Sequence, residues 1–270
     1  MNSIKSLALV GMATTALFAT QAFATPCAPG TQGSPVCVAT VGANGAESSL
    51  QDVFDGITSS PGDINVYTGQ ASPSSFWSIS GSGASENAVV MEIAGNANSN
   101  SFGIFDPTDT GNYLELFGGP ASTGWTSQLW NDGAGKFTAG QYDAGHNQVS
   151  LLDATFGAGN SFGYYLKAAD GTFFFSDPTL NGGNAQMVAY AGDSSTSLTF
   201  DGHTGMFDAG EFLLAWEDMA LQNSDKDYND FVVVVESVNP VPEPGVLGMF
   251  GLGALLIGGF VGLRRRSLAA

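Results

Sequence analysis

The sequence predicts an all-β fold: one β-sandwich or jelly-roll-like domain with a single short helix near its N-terminus. Glycine contributes 37 of the 270 residues, and charged side chains make up only 12% of the chain, which is about half their usual share. Short apolar runs alternate with turns rich in Gly, Asn, Asp and Ser, a pattern typical of sandwiches. The 19 Phe residues, together with Tyr, Trp and Val, supply the apolar surface that a disordered chain would lack.

Strands are predicted where β-branched and aromatic residues cluster between turn residues. Such runs occur at residues 89–93, 101–105, 113–117, 161–166, 172–176, 186–190, 211–216 and 231–236. The last two runs are apolar on both faces, as expected for neighbouring strands in the middle of a covered sheet. Residues 167–171, with Asp170-Gly171 as the tight element, predict a hairpin turn.

The one helical pattern covers residues 48–57. Apolar residues recur at helical spacing from Leu50 to Ile57, and either Ser48 or Ser49 is placed to act as the N-cap. The pattern therefore predicts a short amphipathic helix ahead of the first strand.

The first 24 residues have the three parts of a secretory signal peptide. Lys5 supplies a short positive start, residues 7–19 form an apolar stretch, and Ala-Phe-Ala at 22–24 is a small-x-small cleavage pattern. The alternative, a short N-terminal core helix, does not need these parts in this order. We therefore expect export, with a mature domain over residues 25–240.

Residues 241–270 form a tripartite tail. Pro242-Glu243-Pro244 is followed by an uncharged run over residues 245–263 and by Arg264, Arg265 and Arg266. At about 1.5 Å per residue the run spans roughly 28 Å as a helix, enough to cross the hydrocarbon core of a bilayer. The arginines would stay on the cytoplasmic side. A permanent single-span anchor fits these features.

On the same residues the tail resembles the PEP-CTERM sorting signal of Gram-negative bacteria that make exopolysaccharide. The resemblance implies that exosortase, a membrane-embedded transpeptidase-like protease, removes the tail near the Pro-Glu-Pro motif. The protein would then pass from an inner-membrane-anchored intermediate to the cell surface or the medium, with no other membrane contact. An anchor has no need of two prolines at the membrane edge, which favours sorting.

The expected mature domain is strongly acidic. Of the 25 acidic residues only Glu243 lies in the tail, and of the 7 basic residues only Lys136, Lys167 and Lys226 lie within 25–240, so this part carries 24 acids against 3 bases, a formal charge of −21. Nucleic acids and anionic membranes bind clustered Lys and Arg, so this charge excludes them as partners. Divalent cations are the natural partners of carboxylates that have so few cationic side chains to pair with.

Cys27 and Cys37 lie just inside the expected mature N-terminus. In an oxidising compartment they are predicted to form one disulfide that fixes the leading loop. Two cysteines are too few for a zinc site.

The loop between the last two predicted strands gathers acidic side chains at both of its ends. We predict a calcium site there, because calcium takes six to eight oxygen ligands in irregular geometry. Magnesium, manganese and a plain solvated loop are the alternatives. An EF-hand is excluded, since Asp230 stands where that motif needs Gly and the following strand carries Glu236 roughly 15 Å away. The predicted ligands are Glu217, Asp218, Asp225, Asp227, Asn229 and Asp230.

The segments Trp216-Glu217-Asp218 and 224–232 resemble the closing signature of a domain of unknown function that recurs in exported bacterial proteins, PEP-CTERM proteins and large surface adhesins. Similar strands earlier in the chain extend the resemblance over roughly residues 85–237. The family has no established activity. The resemblance implies an all-β extracellular module with bound calcium.

Two classes of function remain. The first is a noncatalytic surface or matrix protein associated with exopolysaccharide or biofilm, with Trp77, Trp125 or Trp130 as candidates for stacking on sugar rings. The second is a secreted carbohydrate-active enzyme on a β-sandwich. Gly-x-Ser-x-Gly at 159–163 precedes a strand and not the helix that a hydrolase elbow requires. No catalytic residues are predicted.

Overall fold

The computed structural model describes residues 35–39, 47–72, 74–81, 83–92 and 99–241. The predicted signal peptide, Cys27 and the sorting tail from residue 242 onward lie outside these ranges. None of the helices within the ranges combines the length and apolarity needed to cross a membrane.

The described residues contain fifteen strands, one α-helix and one 3₁₀ helix, joined by turns and loops. The helix α1 covers Leu50–Ile57 and the 3₁₀ helix covers Pro178–Asn181. The strands are β1 (Phe76–Ile79), β2 (Ala84–Glu92), β3 (Ser101–Asp106), β4 (Asp109–Phe117), β5 (Thr126–Asn131), β6 (Lys136–Tyr142), β7 (Gln148–Thr155), β8 (Ser161–Lys167), β9 (Phe173–Phe175), β10 (Met187–Ala191), β11 (Ser197–Phe200), β12 (His203–Met206), β13 (Phe212–Trp216), β14 (Phe231–Val235) and β15 (Val238–Val241).

Antiparallel pairing arranges these strands in three sheets. The first large sheet has the order β15-β1-β8-β3-β4, with β9 paired to β8. The second has the order β10-β13-β14-β2-β5-β6-β7, and β11 and β12 form a small ribbon. Strand β14 therefore lies between its neighbour in sequence, β13, and the distant strand β2.

The two large sheets pack face to face across an aromatic core. Trp77 of β1 meets Phe212 of β13 with ring centroids 4.7 Å apart. Phe102 of β3 lies 6.0 Å from Trp216 and 5.5 Å from Phe231 on the opposite sheet. The predicted all-β class with one short α-helix is confirmed for the described residues. The jelly-roll form of the sandwich stays a prediction.

Helix α1 covers the outer face of the second large sheet. Its buried side chains share a second apolar cluster with residues of β10, β13 and β14, and the ring of Phe54 meets that of Tyr190 edge-on at 4.8 Å. Strands β13 and β14 are consequently buried on both faces. This double burial is the reason for their uninterrupted apolar sequences.

All eight predicted strands are present, although the one predicted at 89–93 begins earlier, at Ala84. Strands β1, β5, β6, β7, β11, β12 and β15 were not predicted. Several of them turn a polar face outward and carry Ser, Thr, Gln or Gly, which weakens the strand signal. In β5, for example, Ser127 and Leu129 face the core while Thr126 and Gln128 are only half-buried.

The N-terminus of α1 has a complete capping box at Ser49. The Ser49 hydroxyl accepts a hydrogen bond from the Asp52 amide at 3.2 Å, and the Asp52 carboxylate accepts one from the Ser49 amide at 3.1 Å. We expect Ser49→Ala to lower the free energy of unfolding by about 1 kcal/mol, measured by urea denaturation. Ser60→Ala, at an exposed serine in the following turn, is the control and should change it by less than about 0.5 kcal/mol.

Candidate metal centre

The loop between β13 and β14, residues 217–230, carries all six predicted ligands. Because Trp216 and Phe231 are paired directly across the two strands, both ends of the loop leave the sheet at one edge. The acids at the two ends are therefore brought together by the strand pairing, as the sequence predicts. Within the loop, however, the structure separates them into two groups.

The outer group consists of Asp225, Asp227 and Glu47. Each offers a carboxylate oxygen, and these oxygens all lie within 4.8 Å of one another. Asp227 is fully buried, Asp225 is half-buried and Glu47 is exposed. In the part of the chain that the structure describes, no other three acidic, histidine or cysteine side chains come this close.

Asn229 ties this group to the start of helix α1. Its side-chain Nδ2 donates to Asp227 Oδ2 at 2.8 Å and to the Ser48 carbonyl at 2.5 Å. Its Oδ1 is buried and has no hydrogen-bond partner among the described residues. Asn229 thus holds Asp227 in place through its amide nitrogen and leaves one oxygen available.

The N-terminal segment 35–39 lies against the same loop. The Ala39 amide donates to the Lys226 carbonyl at 2.7 Å, and Val38 is buried in the apolar cluster beneath α1. Lys226 and Tyr228 both have positive φ, 68° and 59°, so the backbone turns sharply on either side of Asp227. Successive side chains of the loop therefore point in different directions.

The inner group consists of Glu217, Asp218 and Asp230. The carboxylates of Glu217 and Asp230 accept hydrogen bonds from backbone amides of the loop, and that of Asp218 accepts one from outside the loop. Asp230 Oδ2 accepts from the Asp218 amide at 2.9 Å, and Glu217 Oε1 accepts from the Tyr228 amide at 2.7 Å. Asp218 Oδ2 accepts from Asn100 Nδ2 at 3.1 Å. Glu217 is fully buried, and its Oε2 has no hydrogen-bond partner among the described residues.

Three carboxyl groups of the loop have raised pKa values, which favour their neutral forms. Burial raises the pKa of Glu217 to about 7, with smaller contributions from the charges of Asp225 and Asp227. Burial likewise raises the pKa of Asp227 to about 7, and the nearby Asp225 adds to the shift. Burial and the charge of Glu217 raise the pKa of Asp230 to about 8. Ionising these three groups therefore costs more free energy in the loop than in water, and a bound cation would offset that cost.

The loop's own lysine does not neutralise these acids. Among the described residues the one salt bridge joins Lys136 to Asp153 at 3.1 Å, on the β6–β7 pair. Lys226 thus makes no ion pair within 4.0 Å with Asp225, Asp227 or any other described acid. Within the described part of the chain, the acids of the loop thus have no cationic partner.

Of the six predicted ligands, Asp225 and Asp227 meet at a common point and Asn229 supports them. Glu217, Asp218 and Asp230 lie behind them and do not join the set within 4.8 Å. Glu47 was not predicted. The one feature of the sequence that could have pointed to Glu47 is its position two residues before the Ser49 N-cap. Glu47 reaches the loop only because α1 packs on the sheet.

The other predicted residues have distinct positions. Cys37 is buried and disulfide-bonded, whereas Cys27 lies outside the described residues. Trp77 is fully buried in the core, so the suggestion that it stacks on sugars is wrong. Trp125 packs against the core and is half-buried, while Trp130 is exposed.

Family comparisons match two parts of the chain. Residues 143–238 match the family described as Domain of unknown function (DUF4114), and residues 240–266 match the PEP-CTERM protein-sorting motif. The first match covers the later part of the span expected from the sequence and leaves residues 85–142 unmatched. No curated protein and no solved structure matches the chain.

The second match includes every predicted sorting residue, namely Pro242, Glu243, Pro244, Arg264, Arg265 and Arg266, all of which lie outside the described residues. It marks the C-terminus as a signal for processing by exosortase. The C-terminal match indicates an exported, exosortase-processed protein, and residues 143–238 are similar to the DUF4114 family.

Proposed function

We propose that the exported domain is a noncatalytic protein of the cell surface or extracellular matrix, stabilised by calcium and associated with exopolysaccharide in a biofilm. The observation that carries the proposal is the convergence of Glu47, Asp225 and Asp227 on one point. Sorting by exosortase supports the location, and the lack of a cationic partner for the loop among the described residues supports a bound cation.

Calcium suits this set of ligands better than other common metals. The three converging side chains offer only carboxylate oxygens, and neither His nor Cys is among them, which disfavours zinc and copper. The exposed Glu47 leaves room for water and backbone carbonyls to complete six to eight oxygens. Magnesium requires a stricter octahedral arrangement, which an irregular loop is poorly suited to provide.

A cation at this point would join three separate parts of the chain. Glu47 precedes helix α1, Asp225 and Asp227 belong to the β13–β14 loop, and the Ala39–Lys226 hydrogen bond attaches the N-terminal segment to that loop. The cation would hold the helix and the N-terminal segment on the outer face of the sheet. Its role in the proposal is therefore to stiffen the domain and not to take part in a reaction.

Thermal unfolding of residues 25–240 with calcium and with EDTA tests the metal. At a hundredfold excess over the dissociation constant, calcium should stabilise the fold by about 2.7 kcal/mol, a rise in Tm of about 5–11 °C for a domain of this size. Asp227→Ala should lose most of this rise, because it removes the buried member of the outer group. Equal melting curves in calcium and EDTA would refute the metal site.

Asp109→Ala is the matched control for that experiment. Asp109 is an exposed aspartate at the start of β4, and its carboxylate accepts a hydrogen bond from the Gly111 amide in a turn. It belongs to neither group of the loop. The variant should therefore keep the full response to calcium, and a loss there as large as in Asp227→Ala would show that calcium acts through general surface charge.

A secreted carbohydrate-active enzyme is the alternative function. A groove lined by Glu86 and Glu236 lies at the opposite end of β14 from the acidic loop. Most glycoside hydrolases use a pair of carboxylic acids as their catalytic groups. Release of reducing sugar from polysaccharides by the wild-type protein, and its loss in Glu86→Gln and Glu236→Gln, would favour the enzyme. Binding without product would favour the noncatalytic protein.

A further inference from the structure

The described residues leave part of the outer face of the second large sheet uncovered beyond helix α1, and a groove of about 290 Å³ lies there. Its floor is formed by the first residues of β2, the last residues of β5 and the end of β14. Volumes near 300 Å³ are at the lower end of those found for small-molecule sites. The lining residues are Ala84, Ser85, Glu86, Gln128, Trp130 and Glu236, followed by Ser237.

An exposed indole forms one wall of this groove. Trp130 is 36% exposed although it lies in the middle of a seven-stranded sheet, between β2 and β6. A methyl group on Gly140, the diagonal neighbour on β6, would lie 3.3 Å from both Cη2 and Cζ3 of the indole. The six-membered ring therefore rests on the bare backbone of Gly140, and the glycine is the reason that the ring can lie low against the sheet.

Polar groups suited to hydrogen bonding stand beside the ring. Glu86 of β2 and Gln128 of β5 form a direct cross-strand pair, and Ala84 pairs with Trp130 two residues away on the same face. Glu236 approaches from the other side, because its amide donates to the Glu86 carbonyl at 2.9 Å. Strand pairing on both sides of β2 therefore fixes the positions of these groups before any ligand binds.

We infer that this groove is a saccharide-binding site in which Trp130 stacks on a sugar ring. The Glu86 and Glu236 carboxylates accept hydrogen bonds from the hydroxyl groups of the sugar, and the Gln128 amide accepts from them or donates to them. The inference deepens the proposed association with exopolysaccharide and rests on it. A pyranose ring presents apolar C–H groups on its faces and hydroxyls around its edge, which matches an indole flanked by carboxylates and an amide.

The charge of the groove restricts the class of sugar. Among the described residues its lining has two carboxylates and no cationic side chain, so a uronic acid or a sulfated sugar would meet like charge. Burial and the charges of Glu86 and Glu211 raise the pKa of Glu236, which agrees with two close carboxyls that no cation neutralises. The ligand expected here is a neutral or amino sugar.

A cation is a poorer occupant of the same groove. Its two carboxylates do not form a set of three ligating side chains within 4.8 Å, unlike the outer group of the β13–β14 loop. A metal site also gives no account of an exposed Trp beside the acids. The indole is the feature that distinguishes this groove from an ordinary acidic surface.

The test is affinity electrophoresis of the full chain in mild detergent, in gels that contain β-glucan, galactomannan, xylan or chitosan, and in gels that contain polygalacturonate. Retardation is expected in at least one of the first four gels and not in polygalacturonate. Trp130→Ala should weaken that binding about tenfold or more, as is common for a central Trp, and Trp130→Phe should keep part of it. Leu151→Ala, at a 60% exposed apolar residue on β7, is the control and should bind as the wild type does.

A second variant tests the position of the ring without removing it. Gly140→Val would push side-chain atoms into the place of the indole, so it should weaken retardation as Trp130→Ala does while near-ultraviolet circular dichroism shows a folded core. Absence of retardation in all four gels, retardation that survives Trp130→Ala, or retardation in polygalacturonate alone would overturn the inference. Asp227→Ala separates this site from the calcium proposal, since saccharide binding should survive even where the response to calcium is lost.

Discussion

Replacing Phe102 with alanine is expected to lower the free energy of unfolding by about 3–5 kcal/mol. Phe102 is fully buried on β3, and its ring stacks on Tyr164 of the neighbouring strand with centroids 5.4 Å apart. Across the core it meets Trp216 and Phe231 on either side of the acidic loop. Truncation therefore opens a cavity between the two sheets at the point where the loop is attached.

Urea denaturation of residues 25–240 at fixed calcium measures this effect, and the corresponding fall in Tm is about 6–20 °C. Leu151→Ala removes a large apolar side chain from an exposed position on β7 and should change the free energy of unfolding by less than about 0.5 kcal/mol. If the two variants were equally stable, the two large sheets would not share the core described above.

The sequence predicts those strands whose burial produces an apolar run or a regular apolar pattern within the strand itself. Strands β13 and β14 are covered by the opposite sheet on one side and by α1 on the other, so their residues are apolar without interruption. Strand β7 is the reverse case. It is an edge strand whose residues are mostly exposed. Pairing with β6, and not burial, holds Leu151 and Leu152 in the strand, so its sequence shows no unbroken alternation of apolar and polar residues.

The site was predictable to the extent that one loop contains it. Asp225 and Asp227 lie two residues apart, and strand pairing brings the loop ends together, so their proximity follows from the sequence. The contribution of Glu47 depends on where α1 docks, through the contact between Asn229 and Ser48. The division into two groups depends on the Asp218 and Tyr228 amides, which capture carboxylates of the inner group, and no local pattern encodes it.

Export would expose the proposed calcium site to extracellular concentrations of calcium. Extracellular calcium modules bind with dissociation constants of about 10⁻⁴–10⁻³ M, so a site of this class fills where calcium is abundant. The segment that follows the predicted signal peptide and the loop that precedes the last strands meet at the Ala39–Lys226 hydrogen bond. Cation binding would thus fasten the two ends of the exported domain together after it has left the cytoplasm.

In EDTA, the free energy of unfolding of residues 25–240 is expected to fall as the pH rises from about 5 to about 9. Glu217 and Asp227 have pKa values raised to about 7, and Asp230 to about 8, whereas unfolded Glu and Asp titrate near 4. Between these values the folded chain binds more protons than the unfolded chain, so stability is greatest at the acidic end and is lost through pH 7–8. A pKa difference of one between the folded and unfolded chains corresponds to about 1.4 kcal/mol, so the expected loss is at least about 3 kcal/mol.

The carboxyl groups with lowered pKa do not interfere with this measurement. Hydrogen bonds from Ser195 and Thr196 lower the pKa of Asp193 to about 2, and hydrogen bonds outweigh burial to lower that of Asp106. Such groups add stability that is lost only as the pH falls below about 4. Saturating calcium should reverse the trend above pH 7, because the cation binds the ionised carboxylates and proton loss then favours the bound state.

The variant Glu217→Gln tests whether ionisation of Glu217 contributes to this loss of stability at high pH. The amide oxygen can still accept from Tyr228, but the side chain no longer ionises inside the loop. In EDTA the variant should therefore be more stable than the wild type at pH 9 and about equally stable at pH 5, as followed by urea denaturation at each pH. Asp109→Asn, at an exposed acid that belongs to neither group of the loop, is the control and should give the pH profile of the wild type. A wild-type profile that is flat between pH 5 and 9 in EDTA, or a Glu217→Gln variant that is less stable at pH 9, would show that the buried carboxyls are already neutralised by groups of the chain itself. The loop would then have no electrostatic need for a cation, and the calcium proposal would lose its physical basis.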